Sequence, residues 1–193
     1  TGNGGKTMES LVRTNRLAGG LDLTTTEWAD ELVGGVFSAG PDRLSAAAEC
    51  GVPAIVTPAC LDMVNFWAPN TVPEKFNGRT FCPHNPNVTL MRTTADECRQ
   101  LAEIFVEKLN GSKGPVTILL PLKGWSMIDS PDGSFWLPEA NETFTVDLSN
   151  PSANATINDN SGTGTINDDD TVAATPVVSI SGPVSVAEGD TGT

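Results

Sequence analysis

From Asn141 to Thr193 the chain has no lysine, arginine, histidine, cysteine or methionine. All eleven basic residues lie between Lys6 and Lys123, and the four cysteines, the four methionines and His84 also precede Ala140. The stretch after Ala140 has eight acids and no base, which gives it −8 of the formal −13; the part before it sets 16 acids against 11 bases, −5. Such a balance disfavours nonspecific nucleic-acid binding, which needs Lys and Arg to neutralise phosphates. It is compatible with binding a cation.

Other absences narrow the class further. Cys50, Cys60, Cys82 and Cys98 include no CxxC pair, so neither a zinc ribbon nor a thioredoxin-like site is indicated. Buried free thiols in a reducing compartment are the expectation. No apolar run approaches the roughly 20 residues of a membrane helix. There is no initiator methionine and no signal peptide, and both ends read as cuts within Gly-rich segments. The change in composition near Ala140 reads as a junction between two kinds of protein.

The first part alternates helices and strands. Met8, Leu11, Val12 and Asn15 have helical spacing, which predicts a helix from about Lys6. Gly20 to Leu23 reads as a strand, and Thr26 to Val33 as a helix capped by a preceding threonine. Pro41 to Cys50 is Ala-rich and closed by Gly51, a helix stop. Ala54 to Thr57 reads as a buried strand. Thr94 and Glu97 form a Thr-x-x-Glu capping box for a helix from Ala95 to Asn110. Val116 to Leu120 is a continuous apolar strand of the kind covered on both faces.

This order predicts an open α/β, Rossmann-like, mainly parallel sheet, with ligands beyond the carboxyl ends of its strands. The polar clusters fall there. They are the Gly-rich opening (Gly2, Gly4, Gly5, then Lys6), Asp22 to Glu27 with Thr24, Thr25 and Thr26 after the first strand, Thr57 to Asn65 with Asp62 and Asn65 after the second, and Leu122 to Asp129 after the last. Gly5-Lys6-Thr7 matches the end of a P-loop, whose first glycine would fall before Thr1. Helix-start amides that attract phosphate are one reading; a tight turn without a ligand is the other. Asp62 and Asn65, or Asp22 and Glu27, could face a metal or a ribose; capping and loop hydrogen bonds are the alternative. His84 lies in a proline-rich loop and could act as a general base or sit exposed. Trp28, Trp67 and Trp125 read as packing residues.

The residues Asp22 to Val36, Ser38 to Leu44, Leu61 to Phe66 and His84 to Thr94 resemble the carboxyl-terminal half of the Tm-one-like ATP-binding family, an uncharacterised family whose plant member confers tobamovirus resistance. The resemblance covers residues 1–140. It implies a truncated Rossmann-like domain, ATP or another phosphate ligand as the small-molecule partner, and a cytoplasmic location. The nucleotide site of that family is associated mainly with its amino-terminal half.

In the tail, Thr143 to Leu148, Thr163 to Ile166, Val177 to Ile180 and Pro183 to Val186 read as short strands. Glu139 to Pro151 and Gly162 to Asp170 resemble the end of a Calx-beta repeat, and Val178 to Asp190 the start of another. The resemblance divides the tail at 141–175 and 176–193. It implies a partial all-β, immunoglobulin-like sandwich segment, an extracellular or cell-surface setting, and calcium held by Glu139, Asp168, Asp169 and Asp170, oxygen ligands that suit Ca2+. The expected function is thus a nucleotide- or phosphate-binding α/β domain joined to a Calx-beta tail. The alternatives are a calcium-binding adhesion module, or an enzyme acting through Asp62, His84 or Lys123. A homo-oligomer is compatible with either part.

Overall fold

The computed structural model describes residues 2–121 and 123–141, with the backbone of 165–167 and 177–179. Helix α1 (Asn3–Arg13) begins three residues before the expected start and buries Gly5, Glu9 and Val12. Strand β1 (Gly20–Asp22) leads through the 23–26 turn into α2 (Glu27–Val33). Thr26 does not cap α2 with its side chain; the hydroxyl is used elsewhere. Helix α3 (Ser45–Cys50) is shorter than expected. Residues 41–44 form turns, and Leu44 has φ 73°, which stops a helix from extending back to Pro41. Gly51 ends α3 at φ 69°, as its position predicts. Strand β2 (Ala54–Val56) follows.

The next segment departs from the expected mainly parallel sheet. Strands β3 (Met63–Phe66), β4 (Phe81–Asn85) and β5 (Val88–Arg92) form an antiparallel sheet in the order β3-β5-β4. Residues 81–85 are therefore strand, although their prolines predict a loop. Pro83 is tolerated because β4 is the edge strand, where a missing N–H need not cost a ladder bond, and the ladder is irregular between Pro83 and Asn85.

Helix α4 (Ala95–Asn110) has the predicted capping box, with both reciprocal hydrogen bonds between Thr94 and Glu97. It buries Cys98, Leu101, Ala102, Phe105 and Leu109. Strand β6 (Val116–Ile118) completes a parallel sheet in the order β1-β2-β6, with Asp22, Val56 and Ile118 in register. The core lies on one side of this sheet, where Ala54 and Val56 join Trp28, Leu44, Leu101, Phe105 and Leu109, and continues through Leu61, Val64 and Met91 of the antiparallel part. Each large side chain buried in this way contributes about 1.5–3 kcal/mol. The other side of the parallel sheet is not covered among the described residues: Leu21 and Ile55 are exposed. The expected two-sided covering is not found.

Helix α5 (Pro138–Asn141) packs on α4, with Ala140 fully buried in the core. The structural unit thus runs through Asn141. Of the four cysteines, all free, only Cys98 is buried; Cys50 is exposed. Trp28 and Trp125 are buried as expected, whereas Trp67 is exposed and meets Phe37 edge-on. In the tail, β7 (Thr165–Asn167) and β8 (Val177–Ser179) pair antiparallel, with Ile166 opposite Val178. No immunoglobulin-like sandwich is present among the described residues. The expected strands at 143–148 and 183–186 lie outside them. No helix of the described residues is long and apolar enough to cross a membrane.

Candidate functional site

The carboxyl edge of the parallel sheet carries the turn after β1, the 57–62 segment after β2 and the 123–129 loop beyond β6. The amino end of α1 reaches the same edge through Arg43. A Cβ on Gly5 would lie 2.7 Å from Arg43 Nε and 3.2 Å from Glu27 Oε1. The buried Arg43 guanidinium donates to both oxygens of Asp22, at 2.5 and 2.7 Å, and to the Thr24 carbonyl at 3.4 Å. It also pairs with Glu9 at 3.4 Å and Glu27 at 3.6 Å. One buried cation therefore meets three buried carboxylates. Burial alone would lower the arginine pKa; the hydrogen bonds and field of Asp22, then the fields of Glu27 and Glu9, outweigh it and raise the value. Forked hydrogen bonds to a carboxylate make such a buried pair sustainable. The first turn of α1, beside Glu27, adds the positive end of a helix dipole to this excess of negative charge.

Next to it lies a second network. Thr25 donates its hydroxyl to the Thr57 carbonyl at 2.9 Å and its amide to Ala59 at 3.1 Å. The Thr26 hydroxyl donates to the Met63 carbonyl at 3.4 Å and accepts from the Asn65 side chain at 3.3 Å. Asn65 donates its amide and side chain to the two oxygens of Asp30, at 2.6 and 2.8 Å. Burial pushes the Asp30 carboxyl up to about 6, with the Asn65 hydrogen bonds opposing. Gly35 must be glycine here, because a Cβ would lie 1.7 Å from Asp30 Oδ1.

The third network centres on Asp62, which has no solvent exposure. Its Oδ2 accepts from the Ser126 hydroxyl at 2.6 Å, while Oδ1 has no hydrogen-bond partner. Burial raises its pKa to about 6; Ser126 and Arg92 oppose that and Asp129 adds to it. The 124–129 loop is knotted by Asp129, whose Oδ2 accepts from the Trp125 amide at 2.8 Å and the Asn141 side chain at 2.7 Å. Gly124 makes the knot possible: its φ is 100° and a Cβ would lie 1.6 Å from the Asp129 carbonyl oxygen. The Cys60 amide donates to the Trp125 carbonyl at 2.8 Å, and Cys60 has φ 64°. Burial, then Asp62 and Glu27, push its thiol up to about 11. Such a thiol stays protonated near neutrality and is a poor nucleophile.

These networks sort the residues singled out from the sequence. Thr25, Thr26, Asp62 and Asn65 are buried and bonded to the protein itself, while Gly2 and Gly5 are buried against neighbouring loops. Gly4, Lys6 and Thr24 are exposed on the rim, and a Cβ on Gly4 would meet nothing within 4 Å. His84 is exposed in the edge strand β4, and Lys123 is exposed too; the hydrogen-bond partner of Asp62 is Ser126, not His84. Glu139 is exposed on α5, and Asp168, Asp169 and Asp170 lie outside the described residues. Among the described residues no group of three or more His, Cys, Asp or Glu could hold a metal ion. The sequence did not single out Arg43, Glu9 or Arg92, and it offered Ser126 and Asp129 only as members of the polar cluster after the last strand. Glu9 and Val12 mark the buried face of α1, so an acid on an otherwise apolar stripe was the one available signal.

Comparison with known proteins gives a consistent picture. Residues 1–178 match the uncharacterised protein family (UPF0261) C-terminal domain. A UPF0261 protein of Mesorhizobium japonicum is 51% identical over 140 residues, which cover 72% of this chain and 35% of that protein. A UPF0261 protein of Clostridium tetani is 50% identical, over 70% of this chain and 34% of its own length. The ToMV resistance protein Tm-1 of tomato, Solanum lycopersicum, is 43% identical over 148 residues, 77% of this chain and 20% of that protein. The chain therefore spans about a third or less of the length of these relatives. With its ordered motifs inside that match, the chain belongs to the uncharacterised protein family UPF0261, in its C-terminal domain.

Proposed function

We propose that this domain binds a phosphate-bearing small molecule, ATP or a related nucleotide, at the rim formed by the amino end of α1 and the turn after β1. The observation that supports it most is the state of the first turn of α1. No side chain caps it, Gly4 leaves open space above it, and Lys6 and Thr24 are exposed beside it. Helix-start amides with an adjacent cation favour an anion. The carboxylates around Arg43 are buried beneath, so the phosphate would stay on the solvent side of Gly4. Thr25, Thr26, Asp62 and Asn65 would shape the rim from below without touching the ligand.

Two charge-assisted hydrogen bonds, each about 2–2.7 kcal/mol, correspond to a dissociation constant of roughly 0.1–1 mM. Mg-ATP at about ten times that constant stabilises by about 1.4 kcal/mol, a rise in Tm of roughly 3–6 °C. A thermal melt of this chain with and without Mg-ATP tests the reading, with adenosine as the control. No shift with Mg-ATP, or the same shift with adenosine, removes phosphate from the account.

A further inference from the structure

Among the described residues the outer face of the parallel sheet is bare and, apart from the exposed Thr117 in register with Ile55, aliphatic. Leu21 and Ile55 are neighbours in register and are 57% and 40% exposed. The ladder runs one residue further, through the Thr57 amide to Asp22 and the Leu119 amide to Val56. Strand alternation therefore puts Leu23 and Leu119, 51% and 53% exposed, on the same face. Parallel sheets are almost always covered on both faces, and here α3 and α4 pack on the opposite one. Four large aliphatic side chains spread over three adjacent strands form a patch, not scattered surface leucines.

We propose that this face seats the part of the UPF0261 protein that lies outside the present domain. About two thirds of the Mesorhizobium and Clostridium relatives lies outside the matched stretch, which is ample chain to supply a covering layer. The seat asks for aliphatic side chains, supplied in the α/β architecture by an amphipathic helix laid across the strands. This inference is independent of the phosphate reading, since the patch is on the sheet face and the rim is at the strand ends.

The test compares one change in two proteins. Lysine is placed at Leu21 and Ile55 in this chain, and at the two aligned positions in the intact Mesorhizobium relative. The expected result is a Tm change under about 2 °C here, where both side chains already face water, and a loss of about 10 °C or more in the relative, where they would be buried. A loss of similar size in both proteins would mean that this chain covers the face itself, through its tail or a second copy. Little change in both would mean that nothing covers it. Either result overturns the proposal. Sedimentation of this chain at about 10–100 µM separates the first case: a dimer abolished by the lysines would identify a second copy as the occupant.

Discussion

Glu9, in the middle of α1, caps a different helix: its Oε1 accepts from the Leu44 amide at 2.5 Å. Its Oε2 accepts from the Ala46 amide at 3.1 Å, so one carboxylate satisfies two donors at the start of α3, which has no cap of its own. The same group faces Arg43 and, at 3.3 Å, Arg13. Removing it leaves a buried cation with one partner fewer and two amides unpaired. Glu9→Ala should cost about 3–5 kcal/mol by urea denaturation. Glu9→Gln, which keeps an acceptor, should cost clearly less. Equal losses would mean that the side chain's volume matters and its hydrogen bonds do not.

The two glycines that open α1 should respond oppositely. Gly5→Ala puts a methyl against Arg43 Nε, and that side chain cannot swing away because Asp22 holds it by two hydrogen bonds. A loss of about 1–3 kcal/mol is expected. Gly4→Ala enters open space in a helix and should gain about 0.5–1 kcal/mol. Thermal melts of the two variants check this; a stabilised Gly5→Ala would contradict the packing.

The fold was legible where the signal is local. The capping box at Thr94, the apolar stripe of α4 and the glycine stop at Gly51 depend on neighbours in sequence, and each forms where expected. The antiparallel sheet was not legible, because β3 follows a polar turn and Pro83 reads as a breaker unless β4 is known to be an edge. The site was half legible. Strand order put the loops after β1, β2 and β6 on one edge, as the parallel register shows, but which polar residues face solvent depends on distant partners. Asn65 meets Asp30 and Asp62 meets Ser126, pairs separated by 35 and 64 residues. The tail's antiparallel strand pair fits two of the strands expected there, while the other strands expected there lie outside the described residues.

Asp62 gives a pH test. Its folded pKa of about 6 lies above its ordinary 3.8, so between those values the folded state holds the extra proton. Stability from this group is fully present below about pH 4 and is lost as pH rises through 6, by about 2–3 kcal/mol. Asp62→Asn keeps an acceptor for Ser126 and removes the titration. The stability of the variant minus that of the parent should therefore rise between pH 4.5 and 7.5 in urea titrations. A constant difference would show that the carboxylate is not desolvated.

Asn141 should be needed for the unit to hold together. Its side chain joins Arg92 at 2.8 Å and Asp129 at 2.7 Å, both buried. Asn141→Ala should cost about 1–3 kcal/mol. A neutral result would place the end of the α/β unit before α5.

The most direct test of the central claim is calorimetric titration of Mg-ATP into this chain and into Gly4→Glu. The substitution projects into open space, and a first-turn acid is compatible with the helix dipole. The fold should be retained, while the new charge stands where the phosphate would sit. The account predicts parent binding in the range of roughly 0.1–1 mM and a loss of at least about tenfold in Gly4→Glu, with an unchanged circular dichroism spectrum. Equal affinity in the two proteins would contradict the claim and remove the start of α1 from any ligand site.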